Sequence, residues 1–274
     1  MALHMGDYLQ ATMQELRVEP LHRRIRCSVN GETVCDTTDA MLVWEPRRVV
    51  PMYAVPEADI RARLTPSDPV PLPEDLPPVL GPARFALHVE PGQPLTVHAG
   101  GQVLEGAAFR PDDPDLGGRV ILEWSVFDWT EEGQPVLGHP HDPFKRIDIL
   151  AGDRHIVVSY DGTVLAETKN AVALYETHLP VRWYIPAEDV DMSKLEPSEH
   201  ATVCAYKGQA SYHSVAGAGT DGRNIAWTYR DPLHEAAQVK DLVCFYSERT
   251  DLSVDGVDVP RPETLWSPPR PRTG

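Results

Sequence analysis

The sequence predicts a mostly β chain built as two tandem antiparallel domains with few short helices. Three observations carry that expectation. Apolar and polar residues alternate in short runs, Asn-Gly and Asp-Gly pairs stand where such runs reverse, and one succession of runs occurs twice.

Taken in order, residues 8–18 form either a short helix with Leu9, Met13 and Leu16 on one side or a frayed lead-in. From Arg24 the pattern alternates, with Ile25, Cys27 and Val29 against Arg24, Arg26 and Ser28, and it ends at Asn30-Gly31. Both residues of such a pair tolerate the positive φ of a type I′ turn, so a hairpin is expected with its return strand at Glu32 to Asp36. A third run, Ala40 to Trp44, leads to Glu45. The same succession then recurs, with Ile156 to Tyr160, the Asp161-Gly162 turn, Thr163 to Glu167, and Ala171 to Tyr175 leading to Glu176. At an offset of 131, Gly31 meets Gly162, Thr37 meets Thr168, Ala40 meets Ala171 and Glu45 meets Glu176. One residue is lost before Tyr53–Ile60 follows Trp183–Val190.

Further along, aligning Gly92 with Gly208 sets His88 opposite Cys204 and Pro91 opposite Lys207, so the first copy lacks a Cys-x-x-Lys-Gly string. The same comparison sets Ala108-Phe109 opposite Ala226-Trp227 and Val120–Trp124 opposite Asp241–Phe245. Thr65 to Pro82 holds seven prolines in 18 residues and reads as a stiff extended loop. A break at Gln134–Pro143 separates the copies, and Pro260–Gly274 is a proline-rich tail with Trp266 as its anchor. The expected domains are therefore an extension at 1–19, an N-terminal domain at 20–136, a C-terminal domain at 144–258 and a tail at 259–274.

Length and charge bound the partners. A chain of 274 residues accommodates two ordinary cores. Its 25 basic and 41 acidic residues give a formal net charge of −16, which repels phosphate backbones and anionic lipid, so neither nucleic acid nor membrane is an expected partner. No run of 18 apolar residues occurs, and Met1–Tyr8 lacks the basic and apolar regions of a signal peptide. Cys27, Cys35, Cys204 and Cys244 are widely spaced, which fits reduced thiols in a cytoplasmic protein. Oligomeric state is not encoded in any pattern seen here.

The densest chemistry lies between Thr202 and Val215, where Cys204, Tyr206, Lys207, Ser211, Tyr212 and His213 fall within ten residues. On a strand from Ala210 to Val215, Ser211 and His213 share one face, and Ala210, Tyr212 and Ser214 the other. Together with Asp161–Ala166, Glu176, Trp183–Pro186 and Ala226–Tyr229, the segment Thr202–Ala210 resembles the bacterial domain of unknown function 427. The resemblance covers roughly residues 154–257, and Cys204 to Tyr212, Cys-x-x-Lys-Gly-x-Ala-x-Tyr, is its most specific part. It implies a compact antiparallel domain of the β-tent kind, with the N-terminal copy degenerate, and it implies no known reaction. Some β-tent relatives hold zinc between two Cys-x-x-Cys knuckles; this chain has neither, so no metal is expected.

Four groups of side chains are candidates. Lys207 is either a Schiff-base amine, lowered-pKa base or fixed cation in a partly dry pocket, or an exposed lysine in a tight turn. Glu45 and Glu176 each end an apolar run, as a general base or a partner of Lys207, or as structural carboxylates bonded to loop amides. Trp183, Tyr184, Tyr206, Tyr212, Trp227 and Tyr229 supply aromatic walls or ordinary core, with Tyr206 and Tyr229 assigned to a pocket. Cys204 and His213 read as nucleophile and base or as core residues, and His139 with His141 as metal ligands or as a loop. No Walker loop, Gly-x-Gly-x-x-Gly, Gly-x-Ser-x-Gly or His-Glu-x-x-His occurs, so no cofactor is expected.

The expected function is binding of a small organic molecule in the C-terminal domain or the cleft between domains, with or without acid–base chemistry on it. Lys207, Glu176 and Tyr206 are the catalytic candidates, and Tyr212, Trp227, Tyr229, His213, Cys204 and Glu45 the ligand contacts. The alternative is a non-catalytic sensor or interaction module that uses the acidic surface and the proline-rich loop.

Overall fold

The structure, a computed structural model, describes residues 2–264; Trp266 and the rest of the tail lie outside the described residues. The chain divides into two compact units, 1–142 and 143–274. Unit 1 opens with helix α1, Met5–Thr12, and continues with eleven strands: β1 (Arg17–Leu21), β2 (Ile25–Val29), β3 (Glu32–Thr37), β4 (Ala40–Trp44), β5 (Met52–Pro56), β6 (Arg63–Pro66), β7 (Gly92–Ala99), β8 (Gln102–Pro111), β9 (Arg119–Leu122), β10 (Asp128–Glu131) and β11 (Gln134–Pro135). They form a seven-stranded sheet in the order β1-β4-β5-β9-β8-β7-β6 and a four-stranded sheet in the order β11-β10-β2-β3.

Unit 2 has β12 (Ile147–Ala151), β13 (Ile156–Tyr160), β14 (Thr163–Thr168), β15 (Val172–Glu176), β16 (Arg182–Ile185), β17 (Leu195–Cys204), β18 (Gly208–Val215), β19 (Ala226–Tyr229), β20 (Val243–Phe245), β21 (Asp251–Val254) and β22 (Val257–Val259). Its sheets run β12-β15-β16-β20-β19-β18-β17 and β14-β13-β21-β22, which is the order of unit 1 with eleven added to every label. All strand pairs are antiparallel. The sequence repeat is thus a repeat of topology.

Matching local devices produce the matching folds. Asn30 and Gly31 have φ of 49° and 78°, and Asp161 and Gly162 have 47° and 74°, so both hairpins turn through two left-handed residues. Thr37 and Thr168 each accept the amide two residues on, from Asp39 and Asn170, at 3.0 and 2.9 Å. In unit 1 the seven-stranded sheet packs Leu42, Tyr53, Val55, Leu95 and Leu122 against Ile25, Cys27 and Trp129 of the four-stranded sheet. Its other face, with Val43, Met52, Ala54, Phe109 and Ile121, is covered by Phe85 and Leu116. Strands covered on both faces read as near-continuous apolar runs, which is why Ala40–Trp44 and Met52–Pro56 lose the alternation of Ile25–Val29. Unit 2 repeats the plan, with Ile156, Val158, Ile185 and Leu252 between its sheets and Tyr184, Tyr212, Trp227 and Tyr229 on the outer face of the larger one.

Three local expectations are corrected. The helix ends at Thr12, and Arg17–Leu21 is an edge strand whose Pro20 pairs with Met41; proline in a run hides an edge strand from a pattern reading. The strand expected from Ala210 begins at Gly208. The pairings also revise the alignment of the copies' second halves. Leu95 pairs with Ala108 and His213 with Ala226, while Ile121 pairs with Ala54 and Cys244 with Tyr184. Gly92 therefore corresponds to Ala210 and Ile121 to Cys244. Matching the two glycines had slipped this stretch by two residues. Among the described residues no helix is long and apolar enough to cross a membrane.

Candidate functional site

The site is built on the hairpin of β17 and β18. Cys204 pairs with Gly208, so only Ala205, Tyr206 and Lys207 make the turn, and all three are buried. Gly208 closes it at φ +91°, and a Cβ there would stand 3.3 Å from the Asp231 carbonyl oxygen and 3.4 Å from the Leu233 nitrogen. The Leu233 amide donates to the Lys207 carbonyl at 3.2 Å. Glycine is required both for the left-handed backbone and for that close approach.

Lys207 reaches from this turn to Glu176, the last residue of β15, where Nζ donates to Oε2 at 2.6 Å. Lys145, just before β12, lies 3.3 Å from the other oxygen and donates to the Thr177 carbonyl at 3.1 Å. The side chains of Lys207 and Glu176 are only 11% and 6% exposed. Burial opposes the charge on Glu176, but Lys207 and then Lys145 outweigh it and hold the carboxyl below its ordinary value. Burial likewise opposes the Lys207 ammonium, but Glu176 and then Cys204 raise it above the usual lysine value. Two ammonium groups around one carboxylate leave a local excess of one positive charge.

Beside this cluster lies an aromatic face. The Trp227 indole donates to the Tyr184 hydroxyl at 3.2 Å, and the Tyr212 hydroxyl stands 2.9 Å from Thr202 Oγ1 and 3.3 Å from the Tyr246 hydroxyl. Burial pushes the Tyr184, Tyr229 and Tyr246 phenols above their ordinary value, so they stay protonated donors. Arg182 on β16 grips Glu248 through two hydrogen bonds of 2.7 and 2.6 Å. Its guanidinium lies 5.6 Å from the ring centroids of both Trp227 and Tyr246, within cation–π range.

Lys207 thus pairs with Glu176, whose charge acts on Tyr184 and Tyr229, and Tyr212, Trp227 and Tyr229 share one cluster, with Tyr206 buried in the turn and Cys204 beside the ammonium. His213 does not join them. It alternates with Tyr212 on β18 and lies on the opposite face; its Nδ1 is buried without a hydrogen-bond partner, and burial followed by Arg230 lowers its pKa. The Cys204–His213 couple is therefore split by the sheet. Trp183 is also on that opposite face, under Arg154 at 5.8 Å. Sequence reasoning missed Lys145, Arg182, Tyr246 and Glu248. The one available signal was Arg182, a cation at a core-facing strand position where the first copy has Met52. Among the described residues no group of three or more His, Cys, Asp and Glu side chains is placed to hold a metal ion.

Glu45, the counterpart of Glu176, is in a different state. It is fully enclosed, with Arg48 Nε and His88 Nδ1 each 3.0 Å from Oε2 and the Val89 and Glu90 amides donating to Oε1 at 3.1 and 3.3 Å. Every lone pair is spoken for, which puts Glu45 out of reach of a ligand. Around it Met52 replaces Arg182, Ala54 replaces Tyr184 and Phe109 replaces Trp227, while Phe85 closes over the face. Unit 1 thus sets Met52, Ala54 and Phe109 where unit 2 has Arg182, Tyr184 and Trp227, and seals its carboxylate under Arg48 and His88.

No curated protein matches the chain. A family model described as a domain of unknown function, DUF427, matches residues 17–72 and 148–256, together more than half of the chain. The two segments begin 131 residues apart, at the start of β1 and one residue into β12, and the first breaks off in the proline-rich loop beyond which unit 1 loses the Lys207 signature. The chain belongs to the DUF427 family.

Proposed function

We propose that unit 2 binds a small organic anion at the edge of its aromatic face, with Lys207 and Lys145 as fixed cations, Glu176 as the group that holds them in place, and Tyr212, Trp227 and Tyr229 as the wall. The observation that carries this reading is the Lys145–Glu176–Lys207 cluster, with Lys207 Nζ 2.6 Å from Glu176. It has a positive excess within a chain of net charge −16, and the equivalent carboxylate of unit 1 is sealed. The pKa directions favour recognition over proton transfer: a carboxylate held low is a weak base, and an ammonium held high is a poor nucleophile and a poor acid near neutral pH. Free thiols at all four cysteines support a reducing, cytoplasmic setting for such a ligand.

The test is a thermal-shift and calorimetric screen of small carboxylates, sulfonates and phosphates against matched amides and alcohols. Anions should stabilise the protein more than their neutral counterparts, and Lys207→Met should remove the difference. Equal stabilisation by neutral analogues, or an anion effect that survives in Lys207→Met, defeats the reading.

A further inference from the structure

The repeat itself supplies a template for a second ligand site, independent of Lys207. In unit 1 the smaller sheet fills the gap beside Tyr53 of β5 with two side chains from one face of β10. The Trp129 ring lies 4.7 Å from the Tyr53 ring at 34°. Glu131, two residues on, is paired with Arg23 and accepts the Tyr53 hydroxyl at 2.7 Å. A cavity of about 130 Å³ remains.

Strand pairing gives the counterparts in unit 2. Ile25 and Cys27 pair with Glu131 and Trp129, and Ile156 and Val158 with Val254 and Leu252. Leu42 pairs with Tyr53, and Ala173 with Trp183. At the 131-residue offset Val254 therefore stands for Glu131, Leu252 for Trp129, Trp183 for Tyr53 and Arg154 for Arg23. The arginine is kept, but the ring and the carboxylate that fill the gap in unit 1 are both gone. A cavity of about 310 Å³ is lined by Arg154, Trp183, Leu252, Val254, Val257 and Val259, and the last two valines are 69% and 38% exposed.

We propose that unit 2 binds an aryl-alkanoic acid in this groove, with its flat ring against Trp183 in the place of the Trp129 indole and its carboxylate on Arg154 in the place of Glu131. Size sets the first limit: a cavity of about 150 Å³ takes benzene, so this one takes a two-ring body with a short acid chain. Side chains two apart on a strand stand about 6.5 Å apart, and two or three chain carbons give a ligand that spacing between ring and carboxylate. Charge sets the second limit. The Arg154 side chain is 54% exposed and its guanidinium lies 5.8 Å from the Trp183 ring centroid, so the cation stands at the wall the ligand would use. It gives Nε to Asp255 at 2.7 Å, and a guanidinium carries five donors. Asp255 also accepts the His155 amide at 2.9 Å, which holds the pair in place.

Indole-3-propionate is the probe, with its primary amide and propionate as the controls for charge and ring. Titration calorimetry of the full chain should show saturable binding of the probe, with the amide about tenfold weaker, the equivalent of one charged hydrogen bond, and propionate unable to reproduce it. Arg154→Gln, at an exposed position, should weaken the probe by the same factor. Leu252→Trp, which installs the residue of unit 1, should abolish binding while the protein stays folded by circular dichroism. Lys207→Met should retain the probe, so this groove and the Lys207 cluster can fail separately. No saturable binding at millimolar probe, equal binding by Arg154→Gln, or loss of the probe in folded Lys207→Met overturns the proposal. Binding that appears only in Trp266→Ala overturns it too, because the groove then belongs to the chain's own tail.

Discussion

At Lys207 and Glu176, two buried groups each hold the other charged against the cost of burial. Glu176 is depressed, so its contribution to stability is present above its ordinary value of 4.5 and is lost as pH falls through the lower folded value. Lys207 is raised, so its contribution is complete below 10.5 and is lost as pH rises through the higher folded value. Removing one partner strands the other, and Lys207→Met should cost about 3–5 kcal/mol. Denaturant unfolding of the wild type and this variant should give a constant difference across neutral pH that narrows at both extremes; a difference that drifts through neutrality contradicts the assignment. Glu176→Gln should tighten anion binding by raising the local excess from one positive charge to two, whereas an acid–base role has it abolish turnover with binding unchanged. Titration calorimetry separates these outcomes. The pair was legible in sequence because Glu176 ends an apolar run in both copies and Lys207 lies in the most reactive stretch. Arg182 and Glu248 were not, because 66 residues separate them and only the order of β16 and β20 brings them together.

The β17–β18 hairpin is the element that presents Lys207. Its turn depends on Gly208 at φ +91°, so Gly208→Ala should destabilise unit 2 by about 1–2 kcal/mol and weaken anion binding in the same variant. Melting temperature and affinity measured together check this, and a stable variant with lost affinity, or the reverse, breaks the link between turn and site. The hairpin strands β2, β3, β13 and β14 were legible because one face of each is buried, which writes a period of two into the sequence. The slip at Gly92 shows the limit of that signal. A shift of two residues keeps every side chain on its face, so alternation cannot detect it, and only the partner strand reveals that Gly92 stands where Ala210 does. Edge strands β1 and β11 escaped because each contains a proline.

Across the whole chain, one topology has been used twice and specialised differently. Each unit carries its own cores, and Glu45 ties the 84–90 segment of unit 1 through Arg48, His88 and two amides. Glu45→Gln leaves Arg48 buried beside a neutral group, so it should lower the stability of unit 1 by about 3–5 kcal/mol and leave anion binding in unit 2 intact. Scanning calorimetry with and without a bound anion reads both effects, and loss of binding in Glu45→Gln makes Glu45 part of the site after all. The duplication was readable from the 131-residue offset, whereas the fate of each copy's outer face was not, since Met52, Ala54 and Phe109 look like any core residues until strand pairing sets them against Arg182, Tyr184 and Trp227.

The most direct measurement is native mass spectrometry of the purified protein against a metabolite extract, with Lys207→Met and Glu45→Gln in parallel. A small-molecule adduct on the wild type and on Glu45→Gln that is absent from folded Lys207→Met is the expected result, and its mass identifies the anion. An adduct retained on Lys207→Met, or none on any of the three, contradicts an anion site at Lys207.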